Sequence, residues 1–417
     1  MTRTALFTWE IGLGFGHIMP MLPVARELKG RGWRVVFALR DVREASAMLK
    51  SEGFAVLQAP FHPDRLIPRN QPQPQSMADV LALFGFADPK HLAGLHHAWE
   101  GMLDLLQPDL LVASYAPLSL LCANQRGIPT LLLALPFELP PAKHPLPSFR
   151  NPAQAMDGSS DAKIIATVNR VLGKTAISAV HDIFHASQTA LLCFPELDFS
   201  GPRRNATALG ALYSTDLGEE PVWLETGRRK VFAYLTTELP MLEQIRQDLS
   251  ASDLEYLIFL RGASTAQLAD WQAPHIKTVN TPLKLGKALA QCDAALSYGG
   301  MGMTSATLMA DKPGVYITRD SEGYLTAGKV EILGAGLHMN RRKGASISEL
   351  LVRVIEQPSF TQAAQKFAAK YEGHSAEKLS TTIIHQLSEL PGLTIDSGCE
   401  KKKSVAYSNR KATHANH

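Results

Sequence analysis

The sequence predicts an α/β protein made of two similar halves, each a doubly wound parallel sheet. Three observations carry that prediction. Short apolar runs of strand length alternate with stretches of helical periodicity, and the alternation starts afresh in the second half. Glycine-rich turns follow a strand in each half, at Gly12, Gly14 and Gly16 and at Gly299, Gly300 and Gly302. Open α/β sheets bind ligands at such strand ends. The length of 417 residues, 45% of them hydrophobic, suffices for two well-formed cores.

Thr4 to Thr8 is the first strand. Apolar residues then recur at helical spacing from Ile18 to Lys29 (Met21, Leu22, Ala25, Leu28), and Gly30 and Gly32 end that helix. Arg34 to Leu39 reads as a strand, Arg43 to Glu52 as a helix and Ala55 to Gln58 as a strand. Asp109 to Ala113 is a buried strand, followed by a helix from Tyr115 to Gln125 and a strand from Thr130 to Ala134. Residues 136–153 carry six prolines and little periodicity, which marks a long loop of the kind that often serves function. Residues 161–189 look helical, and Ala190 to Cys193 and Ala206 to Leu209 complete the first half as strands.

The chain turns polar between Tyr213 and Arg229, so a first domain at 1–213 and a linker at 214–229 are expected. The alternation restarts with strand 230–235, helix 239–250, strands 255–260 and 276–279, helix 283–291 and strand 293–297. A glycine turn, helix, strand and helix follow, and 348–389 is mostly helical. The second domain is expected at 230–391, its last helices available to pack back on the first. The tail at 392–417 is polar and basic, a composition that cannot bury a core and predicts disorder.

The formal charge of +3 is interspersed along the chain and leaves no footprint for nucleic acid or a membrane surface. Cys122, Cys193, Cys292 and Cys399 are isolated, as in a reducing compartment. The opening apolar run breaks at Glu10 without a cleavage site, and the longest run, Leu110 to Ala123, contains Pro117 and is too short to span a bilayer. A cytoplasmic protein without a transmembrane segment is expected.

The first glycine turn does not fit a dinucleotide fingerprint, because the third glycine would fall on His17. His17 lies at the strand's C-terminal edge. An imidazole there can take a proton from a hydroxyl near neutral pH, or simply pack beneath the helix. The residues alone leave both roles open.

The segment GFGHIMPMLPVARELKGRGWRVVFA is similar to the opening of family-1-type glycosyltransferases, and the layout of residues 3–390 follows theirs. The resemblance implies a GT-B fold: two Rossmann-like domains facing across a cleft, the acceptor mainly on the first and a nucleotide sugar mainly on the second. It also implies that His17 is the general base. In the family an aspartate after the P-D-hydrophobic strand orients this histidine. Here Ser114 takes that place; it can hydrogen-bond but supplies no charge. Three readings stay open: a weaker base, another carboxylate such as Glu10 or Glu138 in the gap, or an acceptor that needs no strong deprotonation.

The family's donor pattern H-G-G-x-G-T-x-x-E corresponds to Tyr298-Gly299-Gly300-Met301-Gly302-Met303-Thr304-Ser305-Ala306. The glycines that cradle a diphosphate are kept. Tyr298, Met303 and Ala306 replace a histidine, a hydroxyl and a ribose-gripping glutamate, with Thr304 as a substitute hydroxyl. The family's D-Q-x-x-N-A becomes Glu322-Gly323-Tyr324-Leu325-Thr326-Ala327, which keeps a carboxylate for sugar hydroxyls. Thr236 and Thr237 correspond to a loop facing the diphosphate, and Thr281 to a segment beside the nucleobase.

The function this implies is an inverting, metal-independent transfer of a sugar from a UDP- or dTDP-linked donor to a hydroxyl of a small molecule, lipid or glycan. The nucleotide sugar is a co-substrate, and no cofactor or metal is expected. The altered donor positions keep a second reading open, a glycosyltransferase-like binding or accessory protein without catalysis. A nucleotide-sugar 2-epimerase is a third, without support from the G-H-x-x-P opening. His181 and His185 echo a zinc motif but lack its glutamate, and His91, His96 and His97 lack zinc spacing.

Overall fold

The computed structural model describes residues 2–12, 15–43, 45–61, 74–150, 156–173, 176–200, 203, 206–213, 218–341, 344–393 and 395. Two six-stranded sheets organise it, with every strand pairing parallel. The first contains β1 (Thr4–Trp9), β2 (Arg34–Leu39), β3 (Ala55–Gln58), β4 (Leu110–Ala113), β5 (Thr130–Ala134) and β6 (Gln188–Leu191), in the order β3-β2-β1-β4-β5-β6. The second contains β7 (Lys230–Thr236), β8 (Glu255–Arg261), β9 (Ile276–Val279), β10 (Ala294–Ser297), β11 (Gly314–Tyr316) and β12 (Gly336–His338), in the order β12-β11-β10-β7-β8-β9.

The two orders are the same when read by position within each half. In each sheet the winding reverses between the first and fourth strands. That reversal opens a crevice at the carboxyl ends of β1 and β4 in one half, and of β7 and β10 in the other. The glycine turns lie at these two crevices.

The strands β1, β4 and β5 are buried along their whole length, as continuous apolar runs in parallel sheets must be. Helix Met21–Gly30 buries Met21, Leu22, Ala25 and Leu28, the residues that predicted it. Its other neighbour is the late helix Ala376–Ser388. A second bridge between the halves joins Phe194 to Phe367 and Tyr371, with ring centroids 5.1 and 4.4 Å apart, and the Tyr371 hydroxyl donates to Glu196 Oε2 at 2.5 Å.

Several elements differ from expectation. Helix Pro117–Gln125 starts two residues late because Tyr115 adopts φ 47°, which no helix admits. The predicted helix over 161–189 is instead Ser159–Leu172 and a short 3-10 turn at Val180–Phe184, ended by Gly173 at φ 92°. The strand expected at Ala206–Leu209 is reduced to two isolated bridges, Leu191 to Ala208 and Arg203 to Ala206, and Gly210 follows at φ 96°. Helix Ser46–Ser51 is shorter than predicted. Helices Met77–Leu83 and Pro89–Leu106 occupy a stretch whose histidines and glycines blur its periodicity. The basic end from residue 396 onward and Cys399 lie outside the described residues, as do Gly14 and residues 151–153 and 214–217.

Candidate functional site

At the first crevice His17 is nearly enclosed, 6% exposed. Its ring stacks on Trp9, with centroids 5.4 Å apart and planes 23° apart, and is tilted against Tyr115 at 5.6 Å. The Nε2 edge lies over Gly12, whose φ of 92° and missing side chain make the room: a Cβ there would run into the imidazole. Trp9 is itself pinned by its indole N–H, which donates to the Ile11 carbonyl at 2.6 Å. The left-handed Tyr115 turns its carbonyl toward the amides of Glu10 and Ile11, at 3.3 and 3.0 Å, tying the end of β4 to the end of β1.

The carboxylate that reaches the histidine is Glu138. Its Oε1 lies 2.8 Å from His17 Nδ1, and the side chain is 2% exposed. The approach is oblique, an ion-pair contact rather than an aligned hydrogen bond. The other oxygen, Oε2, accepts from the Leu135 amide at 3.0 Å, so the turn after β5 fixes the carboxylate. Ser114 does not hold the imidazole. It is buried at the end of β4, its amide donates to the Thr8 carbonyl at 3.0 Å, and its hydroxyl makes no contact with His17 among the described hydrogen bonds. Glu10 serves elsewhere. It caps helix Pro117–Gln125, accepting from Leu118 and Ser119 amides at 3.0 and 2.6 Å, and burial pushes its carboxyl up to about 7.

Beside Glu138 the proline-rich loop folds around a narrow, mostly apolar cleft with room for about 30 Å³, lined by Met77, Phe137, Pro140, Leu146, Phe149 and Phe199. The Tyr115 hydroxyl points to Met77 Sδ at 3.8 Å, so the cage around the imidazole and the pocket share a wall.

At the second crevice Gly299 takes φ 87°, and Gly300 leads into helix Met301–Met309 with no side-chain cap. The amides that open this helix are therefore unclaimed by a capping side chain, the arrangement that favours an anion. Gly302 faces open space. Position 323 has no room for a side chain: a Cβ on Gly323 would come within 2.4 Å of the Tyr298 carbonyl, and one on Gly299 within 2.8 Å of the Gly323 carbonyl. Tyr298 lies over Gly300 and meets Tyr234 edge-on at 5.3 Å.

Some predicted donor residues turn away. Thr304 is fully buried with its hydroxyl next to Tyr316, and offers the crevice no surface. Met303 and Ala306 join an apolar cluster with Trp223, Phe232 and Leu257. The Met301 side chain is likewise buried, leaving its backbone at the helix start. Thr236 is buried, and Thr237 lies over Gly262. Thr281 is exposed, in the segment between β9 and helix Leu285–Ala290.

Glu322 opens helix Ser321–Leu333 and links the two crevices. Burial pushes its carboxyl up to about 8, with the charges of Asp320 and of Glu138, from the other half, adding to the effect. The same two carboxylates, Glu138 and Glu322, act with burial to push the Tyr115 phenol well up. Glu138, the carboxylate beside His17, and Glu322 thus lie within electrostatic reach of one another.

Sequence reading did not single out Arg261, Arg319 and Glu238. Arg319 lies over the Tyr298 ring at 5.5 Å, bonds Asp320 Oδ2 at 3.1 Å and pairs with Glu238, which also lies 3.7 Å from Arg261. Arginines directly after two apolar strands, at β8 and near β11, were the available signal. A separate group, His96, Glu100 and Cys122, brings one nitrogen, oxygen and sulfur within 4.8 Å of one another between two helices of the first half, and could hold a cation.

Comparison with known proteins fits this geometry. Residues 243–390 match the family model described as the erythromycin biosynthesis protein CIII-like, C-terminal domain. Among solved structures, the calicheamicin glycosyltransferase CalG4 is similar at TM-score 0.69 and 17% identity, covering 94% of this chain and 100% of that one. The glycosyltransferase VinC, solved in complex with DTDP, gives 0.65 and 17%, covering 93% and 100%. SnogD from Streptomyces nogalater gives 0.61 and 19%, covering 92% and 100%. No curated protein sequence matches significantly. The architecture is the GT-B fold. The likeness to these structures is one of fold, and residues 243–390 carry the match to the C-terminal domain family.

Proposed function

We propose that the chain is an inverting glycosyltransferase that moves a sugar from a nucleoside-diphosphate donor to an acceptor hydroxyl. The observation that carries this reading is the His17–Glu138 pair in one crevice, electrostatically coupled to Glu322 in the other. His17 Nε2 takes the proton of the acceptor hydroxyl. The freed oxygen attacks the anomeric carbon from one face as the bond to the diphosphate breaks on the other, which inverts that centre. Glu138 orients the ring and stabilises the imidazolium that forms.

The leaving diphosphate is met by the amides of the Gly299–Gly302 turn and the start of helix Met301–Met309. The DTDP complex of VinC supports a nucleoside diphosphate here, with dTDP- and UDP-sugars as the donors to try. The apolar side chains Met77, Phe137 and Phe149 beside Glu138 favour an acceptor with an apolar face and its hydroxyl toward the imidazole, although the cleft between them, about 30 Å³, is too narrow to enclose a ring.

A second reading, binding without transfer, is favoured by Met303 and Ala306, which have left the crevice for the core. Melting curves with dTDP, UDP and GDP, alone and as sugars, test for binding, since a ligand of the native state alone raises the melting temperature. Binding with turnover supports the transferase. Binding without turnover across an acceptor panel supports the second reading, and no binding at millimolar concentration removes both.

A further inference from the structure

We propose that Arg261 and Arg319 are the cations that seat the donor's diphosphate, and that the Glu238 carboxylate holds their place until the diphosphate displaces it. This rests on the transferase reading above and names the groups that replace its missing imidazole. Tyr298 stands where the resemblance implies a histidine, and a phenol brings no positive charge to the glycine turn. The structure brings one by another route. The Arg319 guanidinium lies over the Tyr298 ring at 5.5 Å, so the aromatic side chain becomes the shelf on which a cation rests.

Three strand ends converge here. Glu238 follows β7, Arg261 ends β8, and Arg319 follows β11, all at the carboxyl edge of the second sheet. Arg261 Nη2 also approaches the Thr236 hydroxyl, at 3.4 Å, at the end of β7. The exposures differ in an informative way. The arginine side chains are 9% and 17% exposed, whereas their shared counter-ion Glu238 is 49% exposed. The cations are therefore built into the wall, and the anion is the part free to swing out. Asp320 stays behind, because its Oδ1 caps helix Ser321–Leu333 through the Gly323 amide at 2.9 Å. When Glu238 leaves, the wall gains net positive charge beside the helix start, the setting in which arginine binds phosphate oxygens bidentately.

Glu238 thus competes with the ligand for the same guanidinium groups, and removing its charge should tighten binding. Calorimetric titration of the full chain with dTDP, UDP and inorganic pyrophosphate tests this, with melting temperatures to check folding. Arg319→Gln is expected to weaken dTDP and pyrophosphate by roughly 10- to 100-fold, the loss of a charged hydrogen-bond donor. Arg261→Gln is expected to act in the same direction. Glu238→Gln, an exposed change, is expected to tighten both ligands several-fold. If wild type binds dTDP and the Arg319 and Glu238 variants bind it equally well, or Glu238→Gln binds it less well, this assignment falls while the transferase reading stands. If neither a nucleoside diphosphate nor pyrophosphate binds wild type or Glu238→Gln at millimolar concentration, both fall.

Discussion

His17 Nδ1 lies 2.8 Å from Glu138 Oε1, a pairing supplied by the turn after β5 and not by Ser114 at the end of β4. The expected consequence is a reversal of importance between two positions. Glu138→Gln should lower kcat by about 10²- to 10⁴-fold, as loss of an orienting carboxylate does in triad enzymes, with little change in donor affinity. Ser114→Ala should stay within about threefold of wild type, since its hydroxyl does not meet the imidazole. Steady-state rates of both variants, measured side by side, check this.

Gly12 makes room for the imidazole. Gly12→Ala places a methyl against Nε2 on a backbone at φ 92°, so it should move the ring rather than unfold the sheet. The backbone penalty alone is about 1 kcal/mol. A small loss of melting temperature with a loss of kcat of at least about tenfold is expected, and the two together distinguish displacement of a base from general damage.

The Glu322 carboxyl is pushed up to about 8 by burial and by Asp320 and Glu138, against the opposing pull of Arg319, so it is expected to be mostly protonated at pH 7. As pH rises through 8 it ionises, and a further negative charge appears beside the bound diphosphate. Donor affinity should therefore weaken above pH 8. Glu322→Gln, which mimics the neutral acid, should keep binding at pH 7 and lose that alkaline decline, whereas Glu322→Ala should bind less well throughout. A titration series from pH 6 to about 9.5 reads all three.

Glu10 predicts a stability signature of the same sign. Its folded carboxyl titrates near 7 rather than at the ordinary 4.5, so the folded chain binds the proton more tightly. Its contribution is fully present below pH 4.5, falls as pH rises to 7 and is flat above. Glu322 adds a like slope up to about 8. Glu10→Gln should melt less steeply with pH than wild type between pH 5 and about 7.5, the difference in slope being the Glu10 share. Equal slopes would show that the Glu10 proton is not linked to folding.

The sheets were legible because their strands are short, apolar and buried, and the turns because glycine marks a positive φ. The strand–helix alternation and the G-H-x-x-P segment carried the two-half architecture. Of the candidate site, the two glycine turns could be placed from sequence because each follows a strand of a parallel sheet, as Tyr298 and Gly299 follow β10. Glu138 was one of two carboxylates that local reading could offer, and distance along the chain could not choose between them. The choice depends on Glu10 being consumed as a helix cap. Thr304 looked available because the hydroxyl residues of helix Met301–Met309 read as a polar face, whereas the helix is buried along nearly its whole length. Arg261 and Arg319 became significant only when three strand ends met at Glu238.

The most direct test is acceptor-dependent release of nucleoside diphosphate from dTDP- and UDP-sugars, with a panel of apolar hydroxyl compounds, for wild type and His17→Ala. The account predicts release by wild type that depends on the acceptor and is lost in His17→Ala while donor binding is retained. Undiminished acceptor-dependent release by His17→Ala would contradict it.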